Sequence, residues 1–415
     1  MRITMVAFGT RGEVQPYIAL GLGLQAAGHT VKIVTIGQLH ELVSAYKLTS
    51  VEIPFHSFSA SQVNKKDSIP LRVMYQTAQQ FIKQSLTVIW EACKDAEAII
   101  FHHMSRMAVT HVVEKLQVPA FMVVIHPYHL RFLVYNWREI NPHGEPVFEL
   151  GGVLRQQAEW WMFKGHINRW RREVLGLPRA PFWGNDELIK RLRIPLFCAY
   201  SPAVYPKRAD WPDWLHVTGY YFLERLQDWQ PPAGLQAFLE DGPPPVFVGF
   251  SSSIHQGVQQ ATDVVVQALS AVGQRGILAA GWSEFGRKPD LPVSVFPVES
   301  VPHDWIFPRV VAAVHHAGAG TLGACIRAGI PSVAIPFSWD QPFWGQRVAD
   351  LGIGPAPISP KLLTAKRLAA AIDVAVHDQT IRARATQLGE QIRAEDGIEQ
   401  TLALMEQYLK REYNL

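Results

Sequence analysis

Cysteine is scarce: Cys93, Cys198 and Cys325 stand far apart in 415 residues and lack metal-ligand spacing. That excludes a disulfide-stapled scaffold and predicts reduced, partly buried thiols in a cytoplasmic protein. Charge is also thin, at 18% of residues with a net of +3. Such weak basicity suits a nucleotide diphosphate or an anionic membrane surface and does not call for nucleic acid. No apolar run approaches the length of a membrane span. The opening stretch runs at once into Gly9-Thr10-Arg11-Gly12-Glu13 and reads as a strand, not a signal peptide. The expected protein is therefore soluble, or peripheral to a membrane. Internal repeats, low-complexity segments and an Asp-x-Asp metal motif are missing too, so neither a resident metal nor a cofactor is expected. The first turn is G-x-x-G in place of G-x-G-x-x-G, and the second strand ends in Thr35-Ile36-Gly37 with no acid for an NAD ribose.

What is present is a chain too long for one ordinary core, with 48% hydrophobic residues and two domains as the natural reading. Ile3 to Phe8 and Val31 to Ile36 read as buried strands around a helix over Val14 to Ala27, a βαβ opening. A polar loop over 57–68, a helix over 74–93 and strands over 98–101 and 120–125 follow. Leu196 to Tyr200 and Val217 to Gly219 read as the last strands of a first domain, 1–225. The proline-rich stretch 226–245 reads as an interdomain linker. A second domain, 246–390, opens on the strand Val246 to Phe250. The tail, 391–415, is helical.

The most informative stretch runs from Val298 to Gly354. A buried strand, Val310 to Val314, leads into His315-His316-Ala317-Gly318-Ala319-Gly320-Thr321 and then a helix that stops before Gly329. Glycines let the backbone come close, and the N–H groups and the positive end of a helix face whatever sits there, as a diphosphate requires. Pro331 to Pro336 reads as the next strand. Asp340 and Gln341 stand past its carboxyl end, where α/β folds place groups that contact ligands. A polar pair suited to sugar hydroxyls beside a phosphate cradle implies a nucleotide sugar.

Elsewhere, His102, His103 and His126 end two first-domain strands and could face an acceptor or be ordinary strand-end residues. Tryptophans 137, 160, 161, 170 and 183 cluster with arginines. Trp160, Phe163, Ile167, Trp170 and Val174 share one apolar helix face. That face packs on the core, or forms a greasy acceptor lid or a membrane contact in which Trp160 and Trp170 take part.

The run from Val301 to Gly354 resembles the donor-binding signature of the GT-B glycosyltransferases, most closely the sterol 3-β-glucosyltransferases. P-H-D-W-I-F-P, H-H-A-G-A-G-T, R-A-G-I-P and D-Q-P-F-W-G-Q-R-V agree almost letter for letter; the antibiotic aglycone glycosyltransferases share the skeleton less closely. G-T-R-G-E-V-Q-P-Y-I-A-L-G-L-G-L resembles the opening of the same sterol enzymes. The resemblance implies a GT-B fold: two Rossmann-like α/β domains, acceptor-binding then donor-binding, facing a central cleft, with the last helix crossing back onto the first domain. It implies that His316, Gly318, Ala319, Gly320, Thr321 and Ser252 hold the diphosphate, Val301 meets the base, His303 lies near the ribose, and Asp340 and Gln341 hold the sugar. It makes Glu13 the catalytic base, where relatives carry Asp, with Arg11 and Gly12 beside it; a helix cap is the plain alternative for Glu13, and the histidines are the fallback base. A ribose-binding Glu of the plant enzymes is replaced here by Ala324.

The expected function is inverting transfer of glucose from UDP-glucose to the hydroxyl of a sterol or related lipophilic acceptor, without a metal. The alternatives are an antibiotic-type aglycone glycosyltransferase using a UDP- or dTDP-sugar, and a sugar-nucleotide-binding protein without turnover.

Overall fold

The computed structural model describes residues 1–37, 39–54, 71–127, 138–140, 146–148, 150–182, 184–250, 258–281 and 285–413. The loop expected over 57–68, Trp137, Trp183 and Ser252 lie outside these residues.

Alternation of strand and helix builds two parallel sheets. Their central strands are buried on both faces and so read as nearly continuous apolar runs. The first carries β1 (Arg2–Val6), β2 (Thr30–Ile36), β3 (Thr49–Ile53), β4 (Ala98–His102) and β5 (Ala120–Val124). After a small antiparallel hairpin, β6 (Arg138–Ile140) and β7 (Pro146–Phe148), it is completed by β8 (Leu196–Cys198) and β9 (Leu215–Val217). Its order is β3-β2-β1-β4-β5-β8-β9. The second sheet contains β10 (Val246–Gly249), β11 (Gly276–Ala279), β12 (Val295–Val298), β13 (Ala312–His315) and β14 (Ser332–Ala334), in the order β12-β11-β10-β13-β14. In each sheet the direction of winding reverses beside the first strand, between β1 and β4 and between β10 and β13. Ligands of such folds sit outside the carboxyl ends of the strands at those reversals. There the chain places Gly9 to Glu13, His102-His103, and His315 to Thr321.

Fourteen helices, among the described residues, cover the sheets: α1 (Arg11–Ala26), α2 (Leu39–Ala45), α3 (Leu71–Cys93), α4 (Arg106–Leu116), α5 (Leu150–Trp170), α6 (Asn185–Arg191), α7 (Leu235–Glu240), α8 (Val258–Ala271), α9 (His303–Ile306), α10 (Ala319–Ala328), α11 (Gln341–Asp350), α12 (Ala365–His377), α13 (Gln379–Ala394) and α14 (Gly397–Tyr413). The two bodies share apolar packing. Tyr200, Tyr205 and Tyr220 of the first join Leu322, Ile326, Phe343 and Trp344 of the second in one buried cluster. Gly323 lets α10 approach closely, since a Cβ there would lie 2.7 Å from the Tyr220 ring. The stretch 226–245 is no free tether: α7 falls inside it, and Leu235 is buried with Trp305 and Ile306.

The tail is two helices. α13 packs on α10 of the second body, and α14 returns to the first, burying Met405 and Leu409 with Ile18 and Leu24 of α1. The return passes a point where backbone meets backbone. A Cβ on Gly397 would be 2.6 Å from the Gly219 carbonyl carbon and oxygen.

The apolar face read across α5 holds through Trp160, Ile167 and Trp170 and then fails at Val174, which is 50% exposed. Arg171–Leu175 forms a π-helical turn, whose extra residue advances the inner face by one, so Leu175 is buried in Val174's stead. Arg171 is buried as well. It donates to the Pro178 carbonyl at 2.7 Å and to Glu114 at 2.6 Å. The three cysteines are free and fully buried, their thiols pushed up by desolvation. No described helix is long and apolar enough to cross a membrane.

Candidate active site

Glu13 is the third residue of α1, whose N-cap is Thr10. Its carboxylate accepts the Thr10 N–H at 2.5 Å, closing a capping box, so the capping reading of Glu13 is realised in part. The side chain does more than cap. Desolvation raises its pKa above the ordinary carboxylate value; the Thr10 bonds oppose this, and the negative charge of Asp340, from the other body, adds to it. Gly9 makes room for this arrangement: its φ is +141°, and a Cβ there would lie 2.2 Å from Glu13 Oε2. Arg11 and Gly12 are exposed on the first turn. The Arg11 charge also reaches His303, whose imidazole burial and neighbouring cations push down to about 4. His303 opens α9 with its ring stacked on Phe307, centroids 4.5 Å apart. Val301, just before it, is buried.

Across the cleft, the turn between β13 and α10 is held by its own backbone. His315 is buried and its Nδ1 accepts the Ala317 N–H at 3.0 Å. Ala317 takes a left-handed φ of 62°, a conformation costly for a residue with a Cβ and characteristic of functional turns. Gly318 is the N-cap of α10 and must lack a side chain, because a Cβ would meet His316 Nε2 at 2.5 Å. No side chain caps α10. The first N–H groups, of Ala319, Gly320 and Thr321, have no intrahelical acceptor, as at any helix start, and Gly320 faces open space. His316 stands beside them, half-buried. Desolvation lowers its pKa, while Asp340 and the Gly249 backbone pull it upward. Its buried Nδ1 has no hydrogen-bond partner among the described residues.

Asp340 and Gln341 open α11. Gln341 Oε1 accepts the N–H groups of Phe337 and Ser338 at 2.8 and 3.2 Å, which fixes the turn. Asp340 Oδ2 accepts the Trp344 indole N–H at 3.0 Å. Burial lifts the Asp340 carboxyl to about 6, against the pull of that bond and of His316. The turn just before it carries a second left-handed residue, Trp339, with φ 59°.

Electrostatic coupling thus links Glu13 to Asp340, Asp340 to His316, His316 to His303 and His303 to Arg11, a chain that crosses between the two bodies twice. Other candidates sit differently. His102, His103 and His126 are all buried. His103 Nδ1 and His102 Nε2 are 2.9 Å apart, and Tyr17 stands edge-on to His102. Burial holds His102 at about 3, so it is neutral. Trp160 and Trp170, read above either as core packing or as part of an acceptor lid, are core residues at 4% and 7% exposure. The helix turns Trp161 outward in their place, at 52%, because adjacent residues lie about 100° apart around a helix axis. Gly9 and Trp344 went unassigned. Gly9 carried a signal, a glycine directly after a buried strand; the bond of Trp344 to Asp340 follows from an i, i+4 spacing that the sequence does show.

Residues 3–131 match the family model of the glycosyltransferase family 28 N-terminal domain. Residues 264–400 match that of the erythromycin biosynthesis protein CIII-like C-terminal domain. The whole chain is 34% identical to a sterol 3-beta-glucosyltransferase of Cryptococcus neoformans var. neoformans serotype D, of which it spans 27%. Over 95% of its length it is 36% identical to a sterol 3-beta-glucosyltransferase of Candida albicans, again spanning 27% of that protein. The chain thus spans about a quarter of the length of these relatives. Among solved structures, the kitacinnamycin glycosyltransferase superposes with a TM-score of 0.71 at 18% identity, covering 98% of both chains. CalG4, the calicheamicin glycosyltransferase, superposes at 0.69 and 17% identity, covering 100% of this chain and 99% of its own. With two parallel sheets and both halves matching glycosyltransferase domain models in order, the chain has the GT-B fold and is a homologue of the sterol 3-beta-glucosyltransferases over the quarter of their length that it spans.

Proposed function

We propose that this protein is an inverting glucosyltransferase that moves glucose from UDP-glucose to the hydroxyl of a sterol or a related lipophilic alcohol. The observation that carries the reading is the pairing, across one cleft, of a raised carboxylate on the first body with a helix start and an acid–amide pair on the second. The donor diphosphate would lie against the N–H groups of Ala319, Gly320 and Thr321. His316 would add an N–H bond there, with Gly318 keeping its ring clear. Ser252, three positions beyond β10 in the sequence, is proposed for the same diphosphate. Helix terminus and histidine neutralise the leaving group in this scheme, so no metal or other cofactor is required. Val301 and His303 flank the nucleoside end. Asp340 would accept from one sugar hydroxyl, and Gln341 would stand beside it at the next.

In the transfer, the acceptor oxygen attacks the anomeric carbon from the face opposite the diphosphate. The C1–O bond to phosphate breaks, UDP departs with the electron pair, and Glu13 takes the acceptor proton. Burial and Asp340 favour this by making Glu13 a stronger base than a free carboxylate. The acceptor is taken to be lipophilic because the full-length relatives bear the name of sterol enzymes. A peripheral membrane contact through α5 accords with this, since the Lys164 ammonium lies 5.9 Å from the rings of both exposed Trp161 and exposed Phe182, an arrangement suited to an anionic lipid interface.

The test is incubation with UDP-glucose, dTDP-glucose or UDP-N-acetylglucosamine and a panel of sterols and lipid alcohols, read by mass spectrometry. A hexose adduct on a sterol with UDP-glucose is expected. An adduct only with a dTDP-sugar and a polyketide aglycone would replace this reading with an antibiotic-type one. Donor binding without any adduct would indicate a binding protein.

A further inference from the structure

We infer that Trp344 is a positioning residue that fixes the direction of the Asp340 carboxylate and, through Tyr200, seats the sugar end of the donor site on the acceptor-side body. The inference rests on Asp340 being the sugar-recognising acid proposed above.

An aspartate at a helix N-cap ordinarily turns its carboxylate back onto the N–H groups of the first turn. Asp340 occupies that position in α11 and makes no such bond. Its Oδ2 is taken by the indole N–H of Trp344, one turn along the same helix. The carboxylate so held is close enough to Glu13 and His316 for its charge to raise the pKa of both. The indole bond, beside the one the carboxylate takes from its own backbone N–H, sets which way the carboxylate faces.

Trp344 itself has no freedom to move. It is fully buried, and its ring stands edge-on to Tyr200 with centroids 5.7 Å apart. Phe343 makes the same kind of contact with Tyr205 at 5.2 Å. Arg347, one turn further, donates to the Val204 carbonyl at 2.9 and 3.2 Å. Three residues of α11 therefore grip the first body's 200–205 segment. The acid that reads the sugar is set by a helix docked on the body that supplies the base. A donor sugar and the Glu13 carboxylate are then held in register without a contact between them.

The test is Trp344→Phe, which keeps an aromatic ring and deletes the N–H. Binding of UDP-glucose and of UDP is measured by calorimetry on the full chain, beside Asp340→Asn. Loss of one hydrogen bond to a charged group should weaken UDP-glucose about 10-fold or more and leave UDP within twofold. The pH at which UDP-glucose affinity falls off on the acid side should also rise, because the indole bond holds the Asp340 carboxyl down. Equal weakening of both ligands, or none, would overturn the inference. A double variant guards against a packing defect in Trp344→Phe. If the indole acts only through Asp340, adding Trp344→Phe to Asp340→Asn should cost UDP-glucose nothing further, and additive losses would refute it. Retention of full selectivity for UDP-glucose over UDP by Asp340→Asn would overturn the sugar-site reading, and this inference with it.

Discussion

Replacing Gly9 with alanine tests the site through a residue that touches neither substrate. A Cβ at this position would stand 2.2 Å from Glu13 Oε2 and 2.8 Å from its Cδ. Ordinary van der Waals distance is about 3.5 Å or more, so the carboxylate has to retreat by roughly 1 Å. A misplacement of that size in a proton-transfer group costs about 100-fold in kcat. The retreat also weakens the 2.5 Å bond from the Thr10 N–H, and alanine is strained at a φ of +141°. Together these should destabilise the fold by about 2–4 kcal/mol. A protein stable by roughly 5–15 kcal/mol remains folded at 25 °C after such a loss. The assay is steady-state glucosyl transfer to a sterol, with thermal unfolding run in parallel. Gly9→Ala should lower kcat about 100-fold with the KM for UDP-glucose nearly unchanged, because the donor groups belong to the other body. A folded Gly9→Ala enzyme with wild-type kcat would refute the placement of Glu13 as base.

Glu13→Gln keeps the Thr10 contact but cannot take a proton, so kcat should fall by roughly 10²–10⁴ while UDP-glucose still binds; single-turnover transfer measures it. Activity needs Glu13 ionised, and its pKa is raised by burial and by Asp340. The acid limb of kcat against pH should therefore lie above the range of a free carboxylate. In Asp340→Asn, at saturating donor, the limb should shift to lower pH as one negative neighbour is lost. Gly397→Ala drives a Cβ into the backbone of Gly219 and Tyr220, which neither chain can relieve by rotating a side chain. It should cost about 1–3 kcal/mol in thermal unfolding and expose α14 to limited proteolysis. Trp161→Ser with Phe182→Ser should reduce sedimentation with phosphatidylserine vesicles while leaving transfer to a detergent-dispersed acceptor intact; unchanged sedimentation would remove α5 from the membrane contact.

Much of the second body was legible in order. Its strands and the turn from His315 to Thr321 follow local rules: apolar runs mark buried strands, and small residues between strand and helix mark a turn that lets a ligand approach the backbone. Glu13 was legible as a candidate, and its dual use was foreshadowed by Thr10 and Glu13 at capping-box spacing. Less local features were hidden. β3 lacks a strong pattern of its own and takes its place by pairing with β2, whereas α4 does carry an apolar face, Ala108, Val109, Val112 and Val113, that went unassigned. The π turn at Arg171–Leu175 breaks the 3.6-residue count, so Val174 was assigned to a face it does not occupy. A hydrophobic pattern also says which residues are apolar, not which of two adjacent tryptophans points in. Trp160 went to the core and Trp161 to the surface.

The sequence by itself determined the class of the fold, the phosphate-friendly turn and the residue types available for sugar and proton, because each depends on neighbours a few positions apart. Tertiary structure alone decided that Glu13 and Asp340, over 300 positions apart in the chain, sense each other's charge. It also decided that Asp340 is aimed by Trp344 against Tyr200 and that α14 returns to the first body through Gly397. Those relations depend on how two separately wound sheets meet, and the free energy of that meeting is spread over side chains with no common sequence pattern.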